Sequence, residues 1–409
     1  MYKSLAKILI SIFFLYNLFN LGIANLQIFS IPVLQFSALL ISIIFLIKHN
    51  RYIENIFSKS FWFFLLIFIL YVAAIFINSI AKGYPIIRII QDAEIFYDIL
   101  FIFGGIGVAQ YIKINDLIKI FTYLFISMGL WFLTIILVGQ EFIKFISPTI
   151  NGVYRSVPLL GGFPSHTLLL LSVPFFLFVK KNNLKNKILS FLIGVITLLA
   201  QKRFILIEIF LIVFFYFKRI SNKAFINSIL IFPLIIFSLF IFQTLEISTS
   251  KGSVFNINQM TNLWQSTFVS NEQSGGINWR YNLIVDSIDK VDGIQDVIFG
   301  LGFGSSLTNL TDNITGQKIR TPHIFLLIVF LRTGLIGLIF ISYFFSTFFI
   351  TGYKKYITEN QYEIKNFNYF ILVAFFIFFI EGQTNPTLEY AHSAYVRYFM
   401  LGLLLGQKG

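Results

Sequence analysis

The sequence between Trp279 and Gly337 decides how this chain is organised. It reads NWRYNLIVDSIDKV at 278–291, DVIFGLGFGSS at 296–306 and TPHIFLLIVFLRTGLIGLI at 321–339. An arginine opens a short amphipathic helix, a glycine-rich turn follows, and a histidine stands where the chain enters an apolar run. Because most of the remaining sequence is apolar, we expect the chemistry of the protein to lie in this stretch.

The composition predicts a membrane protein. The chain has 409 residues, of which 57% are hydrophobic and 12% are charged. Soluble domains carry about 25% charged residues, so this apolar surface needs a lipid bilayer as its solvent. The absence of cysteine excludes disulfides and thiolate metal sites. The net charge of +13 comes from small clusters between apolar runs, a pattern that orients membrane proteins and does not indicate nucleic-acid binding.

Long apolar runs predict an all-α polytopic fold, because they exceed the length of barrel strands and a spanning helix needs about 20 residues. We predict about twelve transmembrane helices, at 8–24, 28–47, 61–80, 96–112, 117–138, 158–179, 188–200, 203–217, 224–242, 323–350, 367–381 and 388–406. The segments 188–200 and 203–217 are short, and acidic residues crowd the start of 96–112.

The distribution of basic residues predicts the orientation. If the N-terminus lies in the cytoplasm, more than half of the 31 lysines and arginines fall in short inner segments. Both termini are then cytoplasmic, and Lys3 and Lys7 precede a first helix that we expect to be retained. The chain divides into helices 1–9 at 1–242, a periplasmic loop with an amphipathic helix at 243–322, and helices 10–12 at 323–409, within one membrane domain.

Arg280 and the glycine turn are the first candidate site residues. Arg280 suits phosphate binding because its guanidinium pairs with phosphate oxygens, although Trp279 and Arg280 together also fit an interfacial anchor. Leu283, Ile284, Ile288 and Val291 follow at helical spacing and predict one apolar face. Gly302 and Gly304 allow tight turns with exposed amides that bind substrate, although a plain re-entry loop explains them as well.

His323 and two further arginines follow in the same stretch. His323 comes directly after Pro322, where a neutral imidazole can take a proton from a hydroxyl group. Arg320 lies beside it. Arg332 lies deeper in the apolar run, where a charge costs roughly 2.5–3.5 kcal/mol, so it should face the bundle interior and have a partner. Asp98, Glu208 and Glu381 are the candidate partners.

Two more arginines lie on the predicted outer face. Arg203 occurs in LLAQKRFILIE, a tight turn between two short spans, where the charge opposes the positive-inside trend. Snorkelling to headgroups is the alternative explanation. Arg155 precedes VPLLGGFPSHTLLLL, in which proline and glycine favour a broken helix that lines a cavity. Basic residues at several helix ends on one face indicate a site for an anionic ligand.

A metal site is not expected. The four histidines, His49, His166, His323 and His392, are widely spaced and follow no ligand pattern.

Four motifs carry a resemblance to the bacterial O-antigen polymerase/O-antigen ligase family. They are the QKR turn ending at Arg203, the Arg155 segment followed by GGFPSH, the pair NWRYNLIV and IFGLGFGSS, and PHIFLLIVFLRTGLIGLI with His323, Gly334 and Gly337. The number of helices and the large loop match as well, so the resemblance covers nearly the whole chain. One departure is Ile324, since the family often has asparagine after the histidine.

The resemblance implies a GT-C-like glycosyltransferase of the bacterial inner membrane with its active site facing the periplasm. The implied donor is a glycan on undecaprenyl pyrophosphate, with a chain-length regulator protein as a further partner and no cofactor. His323, Arg280 and Arg203 are the implied catalytic residues. Arg155, Arg320, Trp279, Gly302, Gly304 and Arg332 would bind substrate. The preferred function is an inverting, metal-independent repeat-unit polymerase for O-antigen or capsule.

Two alternatives stay open at this point. An O-antigen ligase transfers the finished glycan to lipid A–core and uses the same donor. A polysaccharide-related transporter is the second alternative, since Pro32, Pro174 and Pro233 fit broken helices around a midplane site. Transporters usually contain internal repeats, and this sequence has none that we can identify.

Overall fold

The computed structural model describes residues 1–19, 27–28, 31–138, 166–179, 184–198, 211–212, 247–248, 254–255, 277–310, 320–322, 324–383 and 391–407. Helices dominate these ranges. In chain order they are α1 (Tyr2–Phe19), α2 (Val33–Lys48), α3 (Asn50–Ile56), α4 (Lys59–Ala81), α5 (Ile86–Tyr97), α6 (Phe101–Tyr111), α7 (Ile114–Val138), α8 (His166–Phe178), α9 (Leu184–Leu198), α10 (Ile277–Ile288), α11 (Ile294–Phe299), α12 (Phe325–Thr358), α13 (Tyr362–Gly382) and α14 (Ala391–Gly406). A 3₁₀ turn (Asp98–Leu100) joins α5 to α6.

Strands contribute little to the described structure. β1 (Gln27–Ile28) pairs antiparallel with β2 (Ile31–Pro32), and β3 (Ile247–Ser248) pairs antiparallel with β4 (Val254–Phe255). Each pair is two residues long, so the fold rests on helix packing.

Several helices are long and apolar enough to cross a membrane. Within the described ranges there are four: α4, α12, α13 and residues 114–134 of α7. α2 and α3 pass the same test as a pair and are bent by 83° between them, which gives a fifth. The protein is therefore an all-helical, multi-pass membrane protein by the length and composition of these helices.

Helix α6 lies at the centre of the packing. Every residue from Phe101 to Val108 is buried, and α14, α2 and α1 pack around it. α14 approaches so closely that a Cβ on Gly402 would lie 2.1 Å from the carbonyl oxygen of Ile102. Small residues at such crossings are typical of helix packing in membranes.

Ten of the twelve predicted segments overlap helices of the structure, namely α1, α2, α4, α6–α9 and α12–α14. The start of the segment 28–47 is wrong, because residues 28 and 31–32 belong to β1 and β2 and the helix begins only at Val33. The segments 203–217 and 224–242 lie almost entirely outside the described residues. The number of membrane crossings stays a prediction. Helical structure begins well before the predicted segment 96–112, because α5 extends from Ile86 to Tyr97 and carries the acidic residues there.

The amphipathic helix after Trp279 is confirmed as α10, but its buried face differs from the predicted one. Leu283 and Ser287 are buried, whereas Ile288 is 49% exposed. The helix packs through only part of its apolar stripe.

Candidate functional site

Helix α12 is broken at Gly334, and the break is where the candidate site is built. Gly334 has φ +63°, a backbone conformation that side chains with a Cβ rarely adopt. A Cβ there would lie 2.1 Å from the carbonyl oxygen of Ile298 in α11. The glycine therefore allows both the break and the close approach of α11.

The chain after α11 is hydrogen-bonded to this break. The amide of Leu301 donates to the carbonyl of Leu331 at 2.7 Å, and that of Gly302 donates to the carbonyl of Arg332 at 3.2 Å. From the other side, the Tyr71 hydroxyl of α4 donates to the carbonyl of Thr333 at 2.7 Å. The loop 300–306 is thus bonded to α12, and α4 is bonded to α12 beside it.

Asp92 of α5 is the acidic centre of the site. Its Oδ2 accepts the amide of Gly304 at 2.6 Å and lies 2.8 Å from Nη2 of Arg332 and 3.3 Å from Nη2 of Arg320. Its side chain is 7% exposed. One carboxylate therefore faces two guanidinium groups, and this cluster of three side chains has a net positive charge.

Arg332 holds the loop in place. Its Nη1 donates to the carbonyls of Gly302 and Ser305 at 3.1 and 2.7 Å and to the Ser305 hydroxyl at 2.9 Å. The side chain is 1% exposed. A substrate-binding role was predicted for this residue, but its guanidinium is turned toward protein acceptors.

The carboxylate that faces Arg332 is not among the three predicted partners. Asp98 accepts a hydrogen bond from Gln35 at 2.8 Å, and Glu381 pairs with Arg397 at 2.7 Å. Glu208 lies outside the described residues. Asp92 reaches Arg332 because α5 begins ten residues before the predicted helix and brings this acid to the break in α12.

Arg320 is the more accessible of the two arginines. Both of its hydrogen bonds to the carboxylate of Asp92 are long, at 3.3 Å, and its side chain is 32% exposed. The carbonyl of Arg320 accepts the amide of Leu307 at 2.9 Å, so the backbone is fixed to the loop. This guanidinium is close to Asp92 and also open to an anionic ligand.

The amides of Gly302 and Gly304, which the sequence allows to be exposed, are engaged within the protein. Both glycines are buried with φ near +87°, and both amides donate within the protein, to the carbonyl of Arg332 and to Asp92. The amide of Phe303 between them donates to the Ser79 hydroxyl at 2.9 Å. The turn therefore supports the site without offering these amides to a substrate.

Helix α10, which carries Arg280, is tied to the same loop. Asp286 accepts the amide of Asn309 at 2.6 Å, and Lys290, just after the helix, donates to the carbonyl of Ser306 at 2.8 Å. Trp279 and Arg280 lie in the first turn of α10, and their side chains are outside the described part of the structure.

Three further predicted residues, Arg155, Arg203 and His323, lie outside the described residues. Pro322 and Ile324 are described on either side of His323, directly before α12. The structure therefore brings together Arg320, Arg332, Gly302 and Gly304, and leaves the convergence of the other candidates as a prediction.

Asp92, Ser79 and Tyr71 are the residues of the site that the sequence did not identify. A buried arginine requires a carboxylate, and Asp92 lies six residues before Asp98, which was named as a candidate. Ser79 and Tyr71 lie inside an apolar run and give no signal of their own. Within the described ranges, no group of three or more histidine, aspartate or glutamate residues is arranged to hold a metal ion.

No protein-family model matches this chain, and no curated protein matches it either.

Proposed function

We propose that this protein is a membrane-embedded glycosyltransferase that polymerises oligosaccharide repeat units of O-antigen or capsule. The donor is a glycan on undecaprenyl pyrophosphate, and the acceptor is a lipid-linked repeat unit. In this proposal about twelve helices form a GT-C-like membrane domain in the bacterial inner membrane, with both termini cytoplasmic and the site on the periplasmic side.

The observation that carries the proposal is the partly exposed guanidinium of Arg320 in a net positive cluster. Arg320 lies three residues before His323 and five before α12, one of the helices long enough to cross a membrane. A lipid pyrophosphate presents its negative charge at the membrane surface, and arginine matches its oxygens. The proposed donor and the charge of the site are therefore complementary.

The proposed reaction needs a base and stabilisation of the leaving group. A hydroxyl oxygen of the acceptor sugar attacks the anomeric carbon, and its proton passes to His323. The bond between the anomeric carbon and the pyrophosphate oxygen breaks, and undecaprenyl pyrophosphate leaves with the electron pair. Arg280 and Arg203 stabilise the developing charge, so the proposal needs no metal ion. Attack opposite the leaving group inverts the linkage.

The buried groups have a supporting role. Asp92 and Arg332 hold the loop 300–306 in place. This loop and the residue after it then bond to Arg320 and to Lys290, just after α10. Arg332 therefore positions the loop in this proposal, and Arg320 takes the contact with the donor.

Deletion of the gene tests the proposal. We expect the deletion strain to make surface glycan with a single repeat unit, and a plasmid copy of the wild-type gene to restore long chains. Lys119→Ala, at an exposed position on α7, is the matched control and should restore them as well. Accumulation of lipid-linked polymer beside bare lipid A–core would instead indicate a ligase, and unchanged surface glycan would exclude both enzymes.

A further inference from the structure

Helix α4 provides a scale for depth in the membrane. It has 23 residues, which corresponds to about 34 Å and matches the roughly 30 Å of a bilayer core. Large apolar side chains project outward along its length, among them Phe63, Leu66, Leu70 and Ile77. Such a belt on a spanning helix faces lipid.

Contacts with α4 place the end of α11 well inside that depth. The carbonyl of Phe299 accepts a hydrogen bond from the Tyr71 hydroxyl at 3.4 Å. Tyr71 precedes Ala81, the last residue of α4, by ten residues, or about 15 Å along the helix axis. Phe299 therefore lies near the middle of α4, far from its end.

The chain after Phe299 returns along α4 toward the Ala81 end. Phe303 bonds to Ser79, two turns beyond Tyr71, and Gly304 packs beside Tyr84, which follows the helix. Lys290, before α11, bonds to the carbonyl of Ser306, so the two ends of the segment meet at one level. α11 thus descends and the loop ascends, which is the path of a re-entrant segment.

The ascending loop meets the requirement for irregular backbone at membrane depth. Such backbone is tolerated only where protein groups satisfy its amides. Four consecutive amides are satisfied in this way. Those of Leu301 and Gly302 donate to the carbonyls of Leu331 and Arg332. Those of Phe303 and Gly304 donate to the side chains of Ser79 and Asp92. Gly302, Phe303 and Gly304 are also buried.

The descending helix presents apolar side chains outward. Ile294, Val297 and Phe299 are exposed by 74%, 38% and 52%. They continue the outward apolar surface of α12 just beyond its break, where Leu335 and Ile339 are exposed. This continuity with a membrane-spanning helix indicates that the same lipid covers both.

We infer that residues 293–306 form a re-entrant segment whose helix α11 lies in the bilayer with Val297 and Phe299 against lipid acyl chains. The segment inserts from the Ala81 end of α4. Its ascending loop carries the amide of Gly304 to Asp92, so the arginine cluster lies within the membrane profile, at the level of the lipid headgroups. This inference does not depend on the proposed glycosyltransferase activity.

Site-directed spin labelling tests the inference in the full-length protein. The chain has no cysteine, so each of Val297→Cys and Phe299→Cys gives a single labelling site. Ile339→Cys on α12 is the lipid-facing control, and Asp292→Cys, an exposed position just before α11, is the aqueous control. Labelled protein is reconstituted in phosphatidylglycerol–phosphatidylethanolamine vesicles, and collision with oxygen is compared with collision with a water-soluble nickel chelate.

We expect the oxygen-to-nickel ratio at Val297 and Phe299 to match that at Ile339 and to exceed that at Asp292 several-fold. Phe299 should give the higher ratio of the two because it lies deeper. A ratio equal to that at Asp292 would overturn the inference, since the helix would then lie in water. Exclusion of both reagents would overturn it too, since protein would then cover the face. Unchanged thermal unfolding and gel-filtration elution establish that each labelled variant is folded.

Discussion

Asp92 and Arg332 form a buried ion pair in which Oδ2 and Nη2 lie 2.8 Å apart. The two residues belong to different helices, and each also bonds to the loop between α11 and α12, through Gly304 and Ser305. The pair therefore connects α5, the loop and α12 at the point where α12 is broken. A substitution here affects three elements at once.

Asp92→Asn should destabilise the protein strongly. Loss of one partner of a buried ion pair costs about 3–5 kcal/mol because the other charge stays buried without compensation. We expect a large fall in the thermal unfolding temperature in detergent, together with loss of glycan lengthening. Asp116→Asn, which removes an exposed pair with Lys119, is the control and should leave the unfolding temperature unchanged. Equal stability of the two variants would contradict the role of Asp92.

Arg320→Ala and Arg332→Ala should separate activity from stability. Arg320 is partly exposed and its contacts with Asp92 are long, so its removal should cost at most about 1 kcal/mol. We expect near-normal unfolding of this variant but little glycan lengthening, because the accessible guanidinium is lost. Arg332→Ala should lose both stability and activity, since Arg332 is buried and holds the loop. Long chains made by Arg320→Ala would contradict the role of Arg320 in substrate binding. Unfolding of Arg332→Ala like the wild type would contradict the role of Arg332 in holding the loop.

Gly334→Ala should disrupt the joint between α11 and α12. An alanine at φ +63° and ψ −166° costs about 1–3 kcal/mol, and its Cβ would also clash with the carbonyl of Ile298. Relief of the clash adds roughly 1–3 kcal/mol. Gly83→Ala is the matched control, since Gly83 has φ +79° but no atom within 4 Å of the added Cβ. We expect denaturant unfolding to show a clearly larger loss for Gly334→Ala, and equal losses would show that the close approach is unimportant.

The positions of the long apolar helices were predictable because the hydrophobic pattern indicates them directly. Segments such as 61–80 and 367–381 are continuous apolar runs, and α4 and α13 occupy them with small shifts at the ends. The start of α5 was not predictable in this way. Asp92 and Glu94 of α5 are unfavourable in a membrane unless they have partners. Those partners, Arg332 and Gln35, are distant in sequence.

The site was predictable in part. The cost of burying Arg332 correctly indicates a charged partner, but the choice of Asp92 depends on the packing of α5 against the loop. The glycines at 302 and 304 correctly indicate a tight turn. Their amides are engaged because Arg332 and Asp92 lie beside them, a contact between residues far apart in the chain.

The central claim is that Arg280 and His323 act on a lipid-linked glycan, and extension of a purified substrate tests it most directly. Wild-type protein in vesicles is supplied with undecaprenyl-pyrophosphate-linked repeat units, and the products are separated by gel electrophoresis. We predict a ladder of lengthened glycans for the wild type and for Lys119→Ala, and unextended substrate for Arg280→Ala and His323→Ala at equal protein levels. Ladders of normal length from both of these variants would contradict the account.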